Sequence, residues 1–131
     1  MLKQELKDRT KAFALSILAL VDTLPKSTSG YAIAKQIVRS GTSIAANYRA
    51  ACMARSRPEF LAKLGIVLEE TDETCFWLEL ITEGKLLPSP GILLLHAEAC
   101  EFRAIILSAI RTTRNSSPAV QKPPIAKFSN P

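Results

Sequence analysis

Few side chains in this sequence can do chemistry. Four carboxylates crowd one short stretch: Glu69, Glu70, Asp72 and Glu73. Three cysteines stand at 52, 75 and 100, and the single histidine is His96. Clustered carboxylates are the donor type of two-metal hydrolases. At 100° per residue Glu69 and Glu73 share a helix face, with Asp72 within reach. Di-metal sites in helical bundles, however, use inward-pointing Glu-x-x-His pairs, and that pattern is missing from the sequence. Glu69 and Glu73 also point away from the apolar stripe around them, so a solvated or ion-paired face is the favoured reading. A zinc site would need the scattered cysteines and His96 to converge, without any C-x-x-C pair to begin it. The cysteines therefore read as small core or flank residues. His96 reads as structural, since no nucleophile is placed to use it. Phosphate-loop, dinucleotide, zincin and nucleophile-elbow motifs are all missing. No catalytic residue, metal or cofactor is assigned, and no enzymatic activity is expected.

The second set is cationic. Between Asp22 and Glu59 there is no acidic residue, and the interval carries Lys26, Lys35, Arg39, Arg49, Arg55 and Arg57. On a helix, Lys35, Arg39 and Arg49 fall on one side. Continued to Arg55 and Arg57, that stripe could follow a nucleic-acid backbone. A solvated face, or pairing with Glu69, Glu70, Asp72 and Glu73 of a neighbouring helix, fits the same residues. Only Tyr31 and Tyr48 are interleaved with the cations, and Tyr48 lies on the core face, so base stacking has weak support. The net charge of +5 conceals segregation. Residues 1–68 carry 11 basic and 4 acidic groups, 69–101 carry 1 and 8, and 102–131 carry 5 and none.

Four helical segments must hold these groups. The chain has 131 residues, 47% hydrophobic and 6% aromatic, enough for one core and poor in strand-forming aromatics. Leu2, Leu6, Thr10, Phe13, Ile17, Leu20 and Leu24 recur at spacings of three and four, and Pro25 is the expected stop. A loop at 26–30 leads to a second segment from about Tyr31 to about Met53. Its core face is Ile33, Ile37, Ile44, Tyr48 and Ala51, and Gly41 on its flank suggests either close helix approach or a tolerated glycine. Ser56-Arg57-Pro58-Glu59 reads as a capping box for the third segment. The stripe there is Phe60, Leu64, Val67, Thr71, Cys75, Leu78 and Thr82, with Gly84 at the C′ position. Ser89-Pro90 opens the fourth segment, striped by Ile92, Leu95, Ala99, Phe102, Ile106, Ile110 and Thr113. These stripes predict an all-α, antiparallel up-down four-helix bundle over residues 1–114. The Pro-rich stretch 115–131 reads as a disordered tail.

The third segment also carries Ala62, Ile66, Phe76, Trp77 and Leu80 off its stripe. A Phe76–Trp77 pair facing outward is the kind of anchor found at protein interfaces, which points to a homo-oligomer. The odd cysteine count argues for a reducing compartment. Met1 to Arg9 carries both signs of charge, unlike a signal peptide. The apolar run at 13–21 is too short to span a bilayer. A cytoplasmic protein with no membrane partner is expected.

The middle of the chain resembles a known family. Arg39-Ser40-Gly41-Thr42-Ser43-Ile44-Ala45-Ala46-Asn47-Tyr48-Arg49-Ala50-Ala51 is similar to the R-S-x-T-S-I-x-A-N-Y-R-E-A segment of the four-helix-bundle proteins encoded in 23S rRNA intervening sequences. Ala54 to Leu64 fits that family's A-x-S-x-x-E-F-x-x-K-L pattern, and Glu69 to Leu80 resembles its E-x-x-E-x-x-x-W-L-x-L segment. With the fourth segment, the resemblance covers roughly residues 10–114. It implies a four-helix bundle assembled into a ring, a homopentamer in known relatives. It also implies kinship with the accessory variability proteins of diversity-generating retroelements, which are basic, bind nucleic acid and partner a reverse transcriptase. No enzymatic activity is associated with the family. Asn47, Tyr48 and Arg49 match its N-Y-R, whereas Ala50 replaces its usual Glu and leaves the second segment more purely basic. Ser43 and Asn47, at i and i+4, could hydrogen-bond to a neighbouring helix or subunit. Ser43, Asn47, Tyr48, Phe76 and Trp77 are thus assigned to structure or an oligomer interface. Lys35, Arg39, Arg49, Arg55 and Arg57 are assigned to contact with RNA or DNA. The competing reading is an oligomeric scaffold or adaptor with no nucleic-acid role.

Overall fold

The structure, a computed structural model, describes residues 2–116. Four α-helices make up the described chain: α1 (Lys3–Val21), α2 (Thr28–Ala51), α3 (Arg57–Glu83) and α4 (Ser89–Asn115). No strand occurs among the described residues. They form the four-helix bundle expected from the apolar spacing. The Pro-rich tail lies outside the described residues from 117 onward.

The helix ends show which local forces set the frame. α1 stops at Val21, short of Pro25. Proline disfavours the helical region for the residue before it, and the Thr23 hydroxyl donates to the Leu20 carbonyl at 2.7 Å, closing the last turn. Leu24 still reaches the core, but from the turn rather than from the helix. α2 begins earlier than expected, because Ser27 acts as its N-cap and accepts from the Gly30 N–H at 3.1 Å. Gly30 is required there: a Cβ would lie 1.9 Å from the Pro25 carbonyl oxygen.

α3 opens as its sequence says, with Ser56 accepting from the Glu59 N–H. The returning bond falls one residue earlier than in a standard capping box, since Glu59 accepts from the Arg55 N–H. Its C-terminus is a Schellman motif shifted by one residue. Leu86 N–H bonds to the Ile81 carbonyl, and Lys85 N–H to that of Thr82. Lys85, not Gly84, takes the left-handed conformation, at φ 55°. α4 is capped by Pro88 rather than Ser89, without a side-chain bond.

Packing follows chain order, α1 on α2, α2 on α3 and α3 on α4. The core holds Leu6, Phe13, Ile17, Ile37, Ile44, Leu64, Val67, Leu78, Phe102 and Ile106, among others. Six positions assigned to the stripes depart from them: Leu2 is exposed, and Leu20, Ile33, Thr82, Leu95 and Thr113 are half-buried. Gly41 marks close approach of α1, because a Cβ there would sit 2.9 Å from Ile17 Cγ1. α1 and α4 meet through an edge-to-face contact of Phe13 with Phe102, centroids 5.4 Å apart. Arg9 lies over the Phe102 ring and binds Glu98 and Glu101, so the bundle is closed by an aromatic contact with an ion-paired rim. The buried threonines cost little because each hydroxyl returns to its own helix: Thr10 to the Leu6 carbonyl and Thr71 to that of Val67. No helix among the described residues is long and apolar enough to cross a membrane.

Candidate functional site

The basic stripe lies along α2, and α3 divides it. Arg39 reaches across the seam and donates to both oxygens of Glu70 at 3.1 and 3.3 Å, and also to Glu73. Glu73 in turn accepts from the Trp77 indole N–H at 3.0 Å. The Arg39 guanidinium, with the indole second, holds the Glu73 carboxyl below the usual carboxylate range. Glu73 and Glu70 raise Arg39 correspondingly. Arg39 therefore has its charge committed within the bundle.

Lys35 and Arg49 are different. Both are exposed, and neither has an ion-pair partner among the described residues. Their separation along α2 is about 21 Å at 1.5 Å per residue. Apart from the paired Arg39, the residues between them on this face are the uncharged Thr42 and Ala46. Arg55, in the α2–α3 connection, is 89% exposed and touches Glu59 only at 3.9 Å. Arg57 is half-buried and donates to the Ser116 carbonyl at 3.3 Å, tying the start of α3 to the end of α4. The five predicted contacts thus separate into three outward cations and two, Arg39 and Arg57, engaged in holding helices together.

The assigned structural residues also separate. Ser43 donates to the Arg39 carbonyl at 2.6 Å, and Asn47 to the Ser43 carbonyl at 2.9 Å. Both bonds stay within α2, and neither crosses to a neighbouring helix of the same chain. The i,i+4 spacing that suggested a cross-helix pair equally suits back-bonding to the helix's own carbonyls. The hydroxyl pair that does cross α2 and α3 is Ser40 with Thr74, 2.9 Å apart and fully buried. Tyr48 is buried against Cys52, and burial pushes its phenol up. Phe76 and Trp77 meet at 5.0 Å with rings inclined by 63°. Phe76 is 49% exposed, whereas Trp77 packs partly on the core. Only Phe76 is therefore fully presented as an outward anchor.

The carboxylate cluster is split by the helix that carries it. Glu70 and Glu73 turn to Arg39 on α2, Asp72 turns to Arg103 on α4, and Glu69 remains exposed. Charge pairing, not a shared centre, organises these groups. The sequence reading missed a different meeting. Cys75 on α3 and His96 and Cys100 on α4, scattered in sequence, converge. The signal was present in two i,i+4 pairs, Cys75/Glu79 and His96/Cys100. It became legible only with the antiparallel register that places 75 beside 100 and 79 beside 96.

The model of the 23S rRNA-intervening sequence protein family matches residues 3–108. Among solved structures, a protein of unknown function from the S23 ribosomal protein family of Bacteroides thetaiotaomicron is similar. It is 35% identical, with a TM-score of 0.78, over 85% of this chain and 99% of that one. No curated protein matches the chain.

Proposed function

The chain belongs to the 23S rRNA-intervening sequence protein family, and on that footing we propose that it is a non-enzymatic, self-associating bundle that binds nucleic-acid phosphates. The observation that carries this reading is the outer edge of α2. Lys35 and Arg49 stand there without a carboxylate partner among the described residues, in a stretch with no acid between Asp22 and Glu59. Cations left uncommitted by their own protein release counterions when they meet phosphates, and that release drives binding. Arg55 extends the edge around the α2–α3 turn. Without stacked aromatics at these positions, recognition is of the backbone, on RNA or DNA alike.

Self-association is supported by Phe76, half exposed on α3, and by the exposed Leu15 and Leu18 on α1. We take the assembly to be a ring of five copies, which would repeat the α2 edge and multiply its field. By resemblance to the retroelement accessory proteins, a reverse transcriptase is the proposed protein partner.

The test is a salt titration of binding to generic duplex and single-stranded nucleic acid. The expected log K falls with log salt at about 0.9 per phosphate contact for duplex and about 0.7 for single strands. Lys35→Gln with Arg49→Gln lowers the slope by about one contact each. Absence of binding at low salt overturns the reading and leaves the scaffold. Phe76→Ser is expected to lower the mass measured by light scattering.

A further inference from the structure

The seam between α3 and α4 carries a donor set that the proposed function does not use. Cys75, His96 and Cys100 each offer one ligand atom, and these atoms all lie within 4.8 Å of one another. The Cys100 sulfur lies beside both nitrogens of the His96 ring, 3.7 Å from Nδ1 and 3.9 Å from Nε2. A tetrahedral centre with metal–sulfur bonds of about 2.3 Å and metal–nitrogen bonds of about 2.0 Å places S and N about 3.5 Å apart. The spacing of Cys100 and His96 is therefore close to that of bound ligands.

The backbone explains the convergence. His96 and Cys100 are one helical turn apart on α4, and Cys75 and Glu79 one turn apart on α3, so each pair shares a face. The antiparallel register sets these two faces opposite each other, continuing a ladder that begins with Asp72 and Arg103. Glu79 Oε2 lies 3.0 Å from His96 Nε2. With Nε2 engaged by the carboxylate, Nδ1 is the ring nitrogen left to serve as a ligand. This is the arrangement by which carboxylates orient metal-binding imidazoles.

We propose that Cys75 Sγ, Cys100 Sγ and His96 Nδ1 form a three-ligand site for a thiophilic divalent cation of the Zn²⁺ class, with Glu79 orienting the imidazole and water in the fourth position. Two thiolates and one imidazole favour zinc over magnesium or calcium, which take oxygen donors. Cys75 is buried, whereas His96 and Cys100 are half-buried, so the site has a wall and an entrance. The charged groups that face it are Glu79, Asp72 and Arg103. The Arg103 guanidinium lies 3.8 Å from the Cys100 sulfur. Burial pushes the metal-free Cys75 thiol up to about 12. A coordinated cation reverses that preference and displaces the proton.

The experiment uses the full chain under a phosphine reductant. Zn²⁺ is titrated against a chromophoric chelator, and Co²⁺ is added separately to read thiolate-to-cobalt charge transfer. The expected result is one ion per chain, a cobalt band of two-thiolate intensity and a Tm that rises with zinc. Cys100→Ser and His96→Ala are half-buried changes chosen to keep the fold, verified by circular dichroism. Both are expected to lose the site. Glu79→Ala is expected to weaken it roughly 10–100-fold, as loss of an outer-shell partner does. Cys52→Ser, outside the cluster, is expected to leave it unchanged. The proposal is overturned by the absence of a saturable one-per-chain site in folded wild type. It is equally overturned by Cys100→Ser binding zinc as wild type does, or by Cys52→Ser abolishing binding.

Discussion

α3 faces two neighbours, and the two seams are built from different materials. Toward α2 the polar groups are hard and already paired. Arg39 spans Glu70 and Glu73, the Trp77 indole donates to the same Glu73 oxygen, and Ser40 and Thr74 share a buried contact. Toward α4 the Asp72–Arg103 pair and the Glu79–His96 contact flank a soft set, Cys75 and Cys100 with a half-buried imidazole. One helix thus carries a seam that is electrostatically finished and one that retains ligand capacity. The contrast has a simple cause. Carboxylates and guanidinium groups meet at the rim, where pairing needs little desolvation. Thiols tolerate the interior as small apolar groups and keep their donor character there.

The largest expected effect comes from emptying the core where α4 meets α1. Phe102 is fully buried and meets Phe13 across the α1–α4 junction. Phe102→Ala is expected to cost about 3–5 kcal/mol, as large core truncations do, read by urea unfolding. A cost well below that range would mean that packing on α3, not the aromatic junction with α1, holds α4.

Next comes the buried hydroxyl pair. Thr74→Val keeps the shape of the side chain but leaves the Ser40 hydroxyl without it in the core. The expected cost is about 1–3 kcal/mol, the range for a buried group deprived of its partner. Cys75→Ala on the opposite face is expected to cost about 1 kcal/mol in metal-free protein. If the two were equal, the distinction between a polar-locked seam and a packed one would fail.

Acid separates the seams further. Arg39 and the Trp77 indole lower the Glu73 carboxyl in the folded protein. Its contribution to stability is therefore complete above the unfolded carboxylate value, about 4.3, and is lost as pH falls through the lower folded value. Trp77 is the chain's single tryptophan and donates to Glu73, so its fluorescence reports this step directly. The expected result is an acid-linked change in Trp77 emission below about pH 4 that Glu73→Gln abolishes. A transition that survives in Glu73→Gln would assign it to another group.

Much of this frame was legible in the sequence because helical periodicity and capping act locally. Ser56 caps α3 as its spacing indicates, and Ile37, Ile44 and Leu64 lie where the three-four rhythm puts them. The departures arise where two local signals compete. Pro25 suggested the end of α1, but its carbonyl instead meets Gly30, and Thr23 closes the helix earlier. Gly84 suggested the left-handed cap, yet the Schellman bonds place Lys85 there. The site was less legible, because its relations cross helices. Periodicity puts Cys75 and Glu79 on one face of α3 but cannot choose which residues of α4 lie opposite. The same limit kept both readings of Arg39 open until the α2–α3 register set it beside Glu70 and Glu73.

The smallest effect on stability is also the most discriminating for function. Arg39 and Arg49 belong to the same helix and the same basic stretch, and both are exposed. They differ in one respect: Arg39 is held by two carboxylates, and Arg49 has no such partner among the described residues. Exposed ion pairs contribute little to folding, so Arg39→Gln is expected to shift Tm slightly and Arg49→Gln not at all. In the proposed nucleic-acid binding the expected order reverses. Removing Arg49 eliminates an uncommitted cation and lowers the salt slope by about one contact. Removing Arg39 frees Glu70 and Glu73 as well, so any loss of binding would come from two unmasked negative charges rather than from a missing phosphate contact. Arg39→Gln combined with Glu70→Gln and Glu73→Gln separates these causes, and is expected to restore binding to the wild-type level. If the triple variant remains as weak as Arg39→Gln alone, Arg39 itself contacts phosphate, and the division of the α2 edge into committed and open cations is wrong.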